Sequence, residues 1–180
     1  MEYELKRSAR KTVSLEIRPD GSLLVRAPLL MSQASIRRFV EAHRDWVEKR
    51  MRRREALPDV PPMTEEALAA LKKRARPAIL ERVAYYAPLV GVRYGSVSIR
   101  SQHSRWGSCS SKGNLNFNCL LLLAPPEVMD YVVVHELCHR IELNHSARFW
   151  AEVARVLPDY AVRRRWLKEH GGVLMAQLPR

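Results

Sequence analysis

The sequence lacks the features that mark secreted and membrane-spanning proteins. It has three cysteines in 180 residues, an odd number without a paired framework, which argues against a disulfide-stabilised extracellular scaffold. Met1–Lys11 is mostly charged or polar and contains no apolar run of the kind that a signal peptide needs. The longest apolar stretch, Cys119–Ala124, is far too short to span a bilayer. We therefore expect a cytoplasmic protein with reduced thiols and no membrane contact.

Composition and charge indicate a globular protein with a basic surface. The hydrophobic fraction of 47% is ordinary for a chain that buries a real core. The formal net charge of +12 is divided almost evenly, with +7 on residues 1–90 and +5 on residues 91–180. Such a surface attracts polyanions, but dispersed charge without a basic tail is explained equally well by solubility. We expect no more than nonspecific association with nucleic acid.

The N-terminal part is predicted to form a β-hairpin followed by a helix. Thr12–Ile17 alternates in polarity, Pro19–Gly21 has turn chemistry, and Ser22–Arg26 returns as a second strand. Ser32 is then placed to cap a helix. The apolar stripe expected along this helix consists of Ile36, Phe39, Val40, Trp46 and Val47.

A proline-rich segment, Leu57–Pro62, is the clearest linker in the chain. It predicts an N-terminal hairpin-and-helix unit over residues 1–57 and a second domain over residues 63–175, unless the whole forms one compact domain. In the second part, Thr64 can cap a helix that we expect Pro77 to break or kink.

Two strand predictions precede the most informative stretch. Asn114–Asn118 alternates in polarity, and Leu120–Leu123 is apolar on both sides, as in a strand covered on both faces. Pro125 and Pro126 should stop this strand and start the next helix, because proline is well tolerated in a first turn. That helix is apolar nearly all round, so we expect it to be buried.

The chain is organised around residues 135–145, which read His-Glu-Leu-Cys-His-Arg-Ile-Glu-Leu-Asn-His. Residues four apart lie on one face of a helix, so His135 and His139 can direct ring nitrogens at a common point. Glu136 can reach a water bound at that point. Two imidazoles at this spacing hold Zn²⁺, and the glutamate takes a proton from the bound water. A single histidine in a helix is most often a buried core residue without a metal. That interpretation does not explain three histidines and a glutamate at the spacing of a zinc site.

A catalytic zinc usually has three protein ligands and one open position, and we favour His145 as the third ligand. At about 100° per residue, an unbroken helix would carry His145 off the metal face, so the helix must stop between Ile141 and Asn144. Asn144 suits a left-handed helix end, and Ser146 or Asn144 could cap the following helix. Glu142 remains a rival third ligand or a partner of a ligating histidine.

Several stretches together resemble a known family. Ser104–Ser110, followed by Gly113–Leu115, precedes Asp130–His139, and Asn144–Ser146 with Phe149-Trp150 closes the pattern. This pattern closely resembles the YgjP-like metallopeptidase domain, a relative of the SprT and WLM zinc peptidases. The resemblance extends over nearly the whole chain.

The resemblance implies an α+β, zincin-like fold in which a small mixed β-sheet lies against a buried HExxH helix. It implies one Zn²⁺ per chain on His135, His139 and His145, with Glu136 as general base. In zincins an extended polypeptide substrate usually pairs with the edge strand that borders the cleft. By the same resemblance, the candidate substrate-binding residues are His103, Arg105 and Trp106.

The candidate residues have a catalytic and a structural interpretation. In the catalytic one, His103 or Arg105 could stabilise the oxyanion that forms when water attacks a carbonyl. Arg105 could equally form a structural salt bridge, and Trp106 could equally anchor the core.

Three functions compete for this site. The leading hypothesis is a zinc-dependent peptidase. A metal-dependent nucleotide phosphohydrolase (pyrophosphatase) would suit the basic surface, but it usually holds Mg²⁺ or Mn²⁺ on carboxylates, which are scarce beside the histidines. A nucleic-acid-associated factor with structural zinc is the third alternative. Structural zinc sites are closed by four ligands, and Glu136 beside an open three-histidine site argues against one.

Overall fold

The computed structural model describes residues 1–18, 21–55 and 60–179. It is an α+β protein, as predicted, and it divides into two compact units, Met1–Asp59 and Val60–Pro179. The predicted turn residues Pro19 and Asp20 and the linker residues 57–59 lie outside the described residues. Among the helices that the structure describes, none has both the length and the apolar character needed to cross a bilayer.

The first unit contains a three-stranded mixed sheet. Its strands are β1 (Glu4–Ser8), β2 (Ser14–Ile17) and β3 (Leu23–Pro28), in the order β1-β3-β2. The antiparallel pairing of β2 with β3 is the predicted hairpin, whereas β1 is an additional strand that runs parallel to β3. The central strand is the most buried of the three, with Val25 and Ala27 fully covered.

Two helices stand where one was predicted. The Ser32 hydroxyl accepts from the Ser35 N–H at 3.2 Å and caps α1 (Gln33–Ala42). His43 ends α1, and α2 (Arg44–Glu55) follows at once. Because the chain turns there, the predicted stripe does not continue unbroken: Val47 is buried, but Trp46 is 47% exposed.

The second unit begins with one long helix, α3 (Glu65–Val90). The Thr64 hydroxyl accepts from the Ala67 N–H at 3.1 Å, and Gly91 ends the helix with a φ of 82°. Of the predicted break or kink at Pro77, the break is wrong, because α3 runs through this residue. Proline costs a helix about 3 kcal/mol, and large apolar side chains buried on both sides of it contribute about 1.5–3 kcal/mol each. These side chains include Leu68, Leu71, Ile79 and Val83.

The second sheet is also small and mixed. It consists of β4 (Val97–Arg100), β5 (Gly107–Cys109) and β6 (Leu115–Asn118), in the order β4-β6-β5. β4 is parallel to β6 and β5 is antiparallel to it. Within the described residues β5 therefore pairs on one side only and forms an edge of the sheet.

The predicted strand at Leu120–Leu123 is wrong, because Cys119–Leu123 forms a short 3₁₀-helix. Asn118 accounts for the change. Its side-chain oxygen accepts from the Leu120 N–H at 3.1 Å, and its side-chain nitrogen donates to the Gln102 carbonyl at 2.7 Å. Asn118 is 2% exposed, so these bonds satisfy a buried amide and turn the chain away from the sheet.

Three helices complete the unit: α4 (Pro126–Cys138), α5 (Ala147–Val156) and α6 (Tyr160–Ala176). The centre is α4, which packs against α3, α5, α6 and β5. Residues 128–134 of α4 are all buried, as its apolar sequence predicts.

Candidate metal centre

The helix α4 is held in place by a buried ionic contact with α3. Arg82 donates from Nε and Nη2 to the two carboxylate oxygens of Asp130, at 2.5 and 2.7 Å, and the Tyr86 hydroxyl donates to the same carboxylate at 3.0 Å. Asp130 is 6% exposed, so a full set of charge-assisted bonds is needed to keep it there. This contact orients the helix that carries His135 and Glu136 and that ends at the capping residue His139.

The turn after α4 brings the third histidine back toward the helix. The helix ends at Cys138, earlier than the predicted stop between Ile141 and Asn144. Its last turn tightens through bonds from the N–H groups of residues 140 and 141 to the carbonyls three residues before each. Asn144 is not the left-handed residue that we predicted, because positive φ values among the described residues are confined to glycines. The Ser146 hydroxyl then accepts from the Phe149 N–H at 3.3 Å and caps α5.

This turn gathers His135, His139 and His145 into one cluster, with ligand atoms within 4.8 Å of one another. The Nε2 atoms of His135 and His145 are 2.9 Å apart. Nδ1 of His139 lies 3.1 Å from the carbonyl of Glu142, so Nδ1 donates and Nε2 keeps its lone pair. Glu142 therefore contacts a histidine of the cluster through its backbone.

Aromatic rings enclose the cluster. Phe149, which is fully buried, has its ring centroid 4.6 to 4.8 Å from those of the three histidines. Trp150 lies 5.8 Å from both His135 and His145, and Tyr131 lies 5.8 Å from His135. In the sequence, Phe149 and Trp150 stood out only as the last residues of the family pattern. Their place against the rings became visible only in the fold.

This enclosure favours the neutral form of His135 and His139. Burial, together with the nearby His139 and His145, lowers the pKa of His135 to about 3. Burial also lowers the pKa of His139, against the opposing effect of its bond to Glu142. Neutral imidazole is the form that binds a metal ion.

The cluster fits a zinc ion. Two ligand nitrogens of one tetrahedral zinc lie about 3.3 Å apart, close to the separation of the His135 and His145 Nε2 atoms. The group found among the described residues contains three imidazoles and no carboxylate, which suits borderline-soft zinc better than Mg²⁺. Nδ1 of His135 is buried and has no hydrogen-bond partner in the described chain.

Glu136 lies beside the cluster and against β5. Glu136 is 5% exposed. Burial raises the pKa of its carboxyl to about 8, and the positive charge of Arg105 opposes this rise. A Cβ atom at Gly107 would lie 2.6 Å from both Cγ and Oε1 of Glu136. The carboxylate therefore occupies space that only a glycine on β5 leaves open.

Replacing Gly107 by alanine should displace the Glu136 carboxylate and lower any activity that depends on it. Displacing a reacting group by about 1 Å can cost roughly 100-fold in rate, so we expect a loss of at least about tenfold. Ser108→Ala is the matched control, since the Ser108 hydroxyl accepts from Asn116 at 3.2 Å on the same strand. Turnover and thermal unfolding of both variants would be compared. Full activity of Gly107→Ala would contradict the tight placement of Glu136.

The three predicted substrate-binding residues lie in different surroundings. His103 and Arg105 are exposed in the loop before β5, and Arg105 is close enough to Glu136 to act on its pKa. Trp106 is half-buried and packs with two hydrophobic clusters. A Cβ atom at Gly171 would lie 2.9 Å from its ring, so this indole fills space in the core.

Sequence reasoning missed Arg164 on α6. Its guanidinium carbon lies 4.5 Å from the ring centroid of Trp150, and its charge contributes to the pKa values of His135 and Tyr131. The sequence offered no direct signal for it, because its only mark was a place in a run of three arginines, Arg163–Arg165.

Comparisons with known proteins identify the family of the chain. The YgjP-like metallopeptidase domain family matches residues 11–69 and 62–170. No curated protein matches the chain significantly. Among solved structures, the metallopeptidase zymogen of Pyrococcus abyssi abylysin is 24% identical, with 51% of this chain and 93% of that chain covered and a TM-score of 0.46. At that score the likeness is too weak to establish a shared fold. The family match covers most of the sequence, and the chain belongs to the YgjP-like metallopeptidase domain family.

Proposed function

We propose that the protein is a zinc-dependent metallopeptidase with a zincin-like arrangement of its second unit. The observation that carries the proposal is the gathering of His135, His139 and His145 beside the buried carboxylate of Glu136. The family membership supports a peptidase. We assign the peptidase domain to residues 63–175 and regard residues 1–57 as a separate N-terminal unit.

In this proposal one zinc ion per chain is held by the three histidines. When bound there, zinc would polarise the scissile carbonyl and make water a better nucleophile. Glu136 accepts a proton from the attacking water on a carboxylate oxygen and then donates it to the leaving amine nitrogen. In the metal-free protein burial raises the pKa of this carboxyl to about 8, and the positive charge of a bound zinc would lower it, which favours the carboxylate that accepts the proton.

The position of β5 supports an extended polypeptide as substrate. β5 is an edge of its sheet, and its Gly107 contacts the side of Glu136. A peptide that adds to this edge would pass beside the proposed base, with its backbone held by strand-type hydrogen bonds. Arg105, in the loop that leads into β5, is then available to the substrate carbonyl.

Cleavage of an unfolded protein by zinc-loaded enzyme tests the proposal. We expect fragments to form with zinc present, and we expect cleavage to stop when a chelator removes the metal and to return when zinc is restored. Gel electrophoresis and mass spectrometry would follow the fragments. Hydrolysis of nucleoside triphosphates with Mg²⁺, without any proteolysis under zinc, would contradict the proposal and favour the phosphohydrolase alternative.

A further inference from the structure

Arg164 holds an unpaired positive charge beside the histidine cluster. Its guanidinium lies over Trp150, whose ring is 5.8 Å from both His135 and His145. Within the part of the chain that the structure describes, Arg164 forms no ion pair. A guanidinium stacked on an aromatic ring keeps its edge free to donate to another group.

Neighbouring arginines are used differently. Arg163 pairs with Asp159 at 3.0 Å and donates to the Glu127 carbonyl at 3.2 Å. Arg155 pairs with Glu152 and donates to the carbonyls of residues 89 and 90 at the end of α3. These arginines serve the fold, whereas Arg164 is exposed and has no such partner among the residues that the structure describes.

The proposed site has an excess of positive charge. Arg164 lies on the Trp150 side of the cluster, and the charge of Arg105 acts on Glu136 from the loop before β5. A bound zinc ion would add two further positive charges. Glu136 and Glu142 are the acidic residues nearest in the chain to the three histidines, and two carboxylates do not balance these four positive charges.

We propose that Arg164 binds a carboxylate of the peptide substrate, so that the site prefers peptides with an acidic side chain close to the scissile bond. The inference rests on the proposed peptidase function. Arg164 is well suited to this task, because a guanidinium offers two parallel N–H donors to a carboxylate, and the Trp150 ring lies against it at 4.5 Å. The same group would hold the substrate without taking part in proton transfer.

Binding to a variant that cannot turn over tests the preference directly. Zinc-loaded Glu136→Gln protein would be titrated by calorimetry with a ten-residue peptide in which one Glu or one Gln is moved position by position. At one or two positions we expect the Glu peptide to bind roughly tenfold tighter than the Gln peptide, as a charge-assisted hydrogen bond would give. The difference should shrink at high salt.

Second substitutions identify the residue responsible. Adding Arg164→Met should abolish the difference, and Arg164→Lys should keep part of it, because lysine retains the charge but loses the planar fork. Arg165→Met is the matched control, as Arg165 is exposed on the same helix and forms no ion pair within the described residues. Zinc content of each variant would be measured, so that loss of the metal is not mistaken for loss of recognition.

Equal binding of the Glu and Gln peptides at every position would overturn the inference. So would an equal loss of preference in Arg165→Met, since the effect would then belong to the general basic surface. These outcomes are separate from failure of the proposed function, which would appear as no cleavage of any peptide by the wild-type zinc enzyme.

Discussion

Replacing Glu136 by glutamine is expected to lower kcat for peptide hydrolysis by roughly 10²- to 10⁴-fold while the zinc content stays unchanged. Glutamine fills the same space beside Gly107 but cannot accept a proton. The three histidines are untouched, so metal binding should persist. Single-turnover cleavage of a fluorogenic peptide would give the rate, and atomic absorption would give the metal content. Retained turnover with full zinc occupancy would remove Glu136 from the mechanism.

The pH dependence of stability provides a control for this variant. In the metal-free protein, burial raises the pKa of Glu136 from 4.5 to about 8. Between these pH values the folded state holds a proton that the unfolded state has lost. The free energy of unfolding therefore falls as the pH rises. Glutamine removes this dependence. Chemical denaturation of the metal-free proteins should therefore show Glu136→Gln becoming more stable than wild type as the pH rises toward 8.

Replacing His145 by alanine is expected to weaken zinc binding by more than about 100-fold. Loss of a mere partner of a ligand already costs 10- to 100-fold in metal affinity, and loss of a ligand should cost more. The Nε2 of His145 is 2.9 Å from that of His135, so its removal opens the cluster on one side. Competition titration with a chromophoric zinc chelator would measure the affinity.

Glu142→Gln is the matched control for the third ligand. Glu142 contacts the cluster through its carbonyl, which accepts from His139, and the substitution leaves that carbonyl in place. We expect near-normal zinc affinity and activity. If His145→Ala kept its zinc and Glu142→Gln lost it, the carboxylate of Glu142 would be the third ligand instead.

Local signals in the sequence were most reliable where a side chain contacts its own segment. Ser32, Thr64 and Ser146 were predicted as helix caps, and each accepts a hydrogen bond from the N–H three residues later. Such bonds depend on a few neighbouring residues, so short patterns predict them well. The turn chemistry around Gly21 likewise predicted the pairing of β2 with β3.

Predictions failed where distant contacts outweighed a local preference. Pro77 was expected to break or kink α3, and it does not break it, because buried residues on both sides stabilise a continuous helix. Leu120–Leu123 could equally be a buried strand or a buried helix by periodicity, and hydrogen bonds of Asn118 with Gln102 and Leu120 decided the matter.

The sequence by itself determined the set of residues at the centre: the spacing of His135 and His139 follows from the helical repeat, and Glu136 follows from adjacency. Only the tertiary structure decided what surrounds them. The space that Gly107 leaves for Glu136 and the position of Arg164 over Trp150 join different elements of the fold. Such contacts arise from packing between elements, which local sequence patterns do not encode, and they set the charge and exposure on which the proposed chemistry depends.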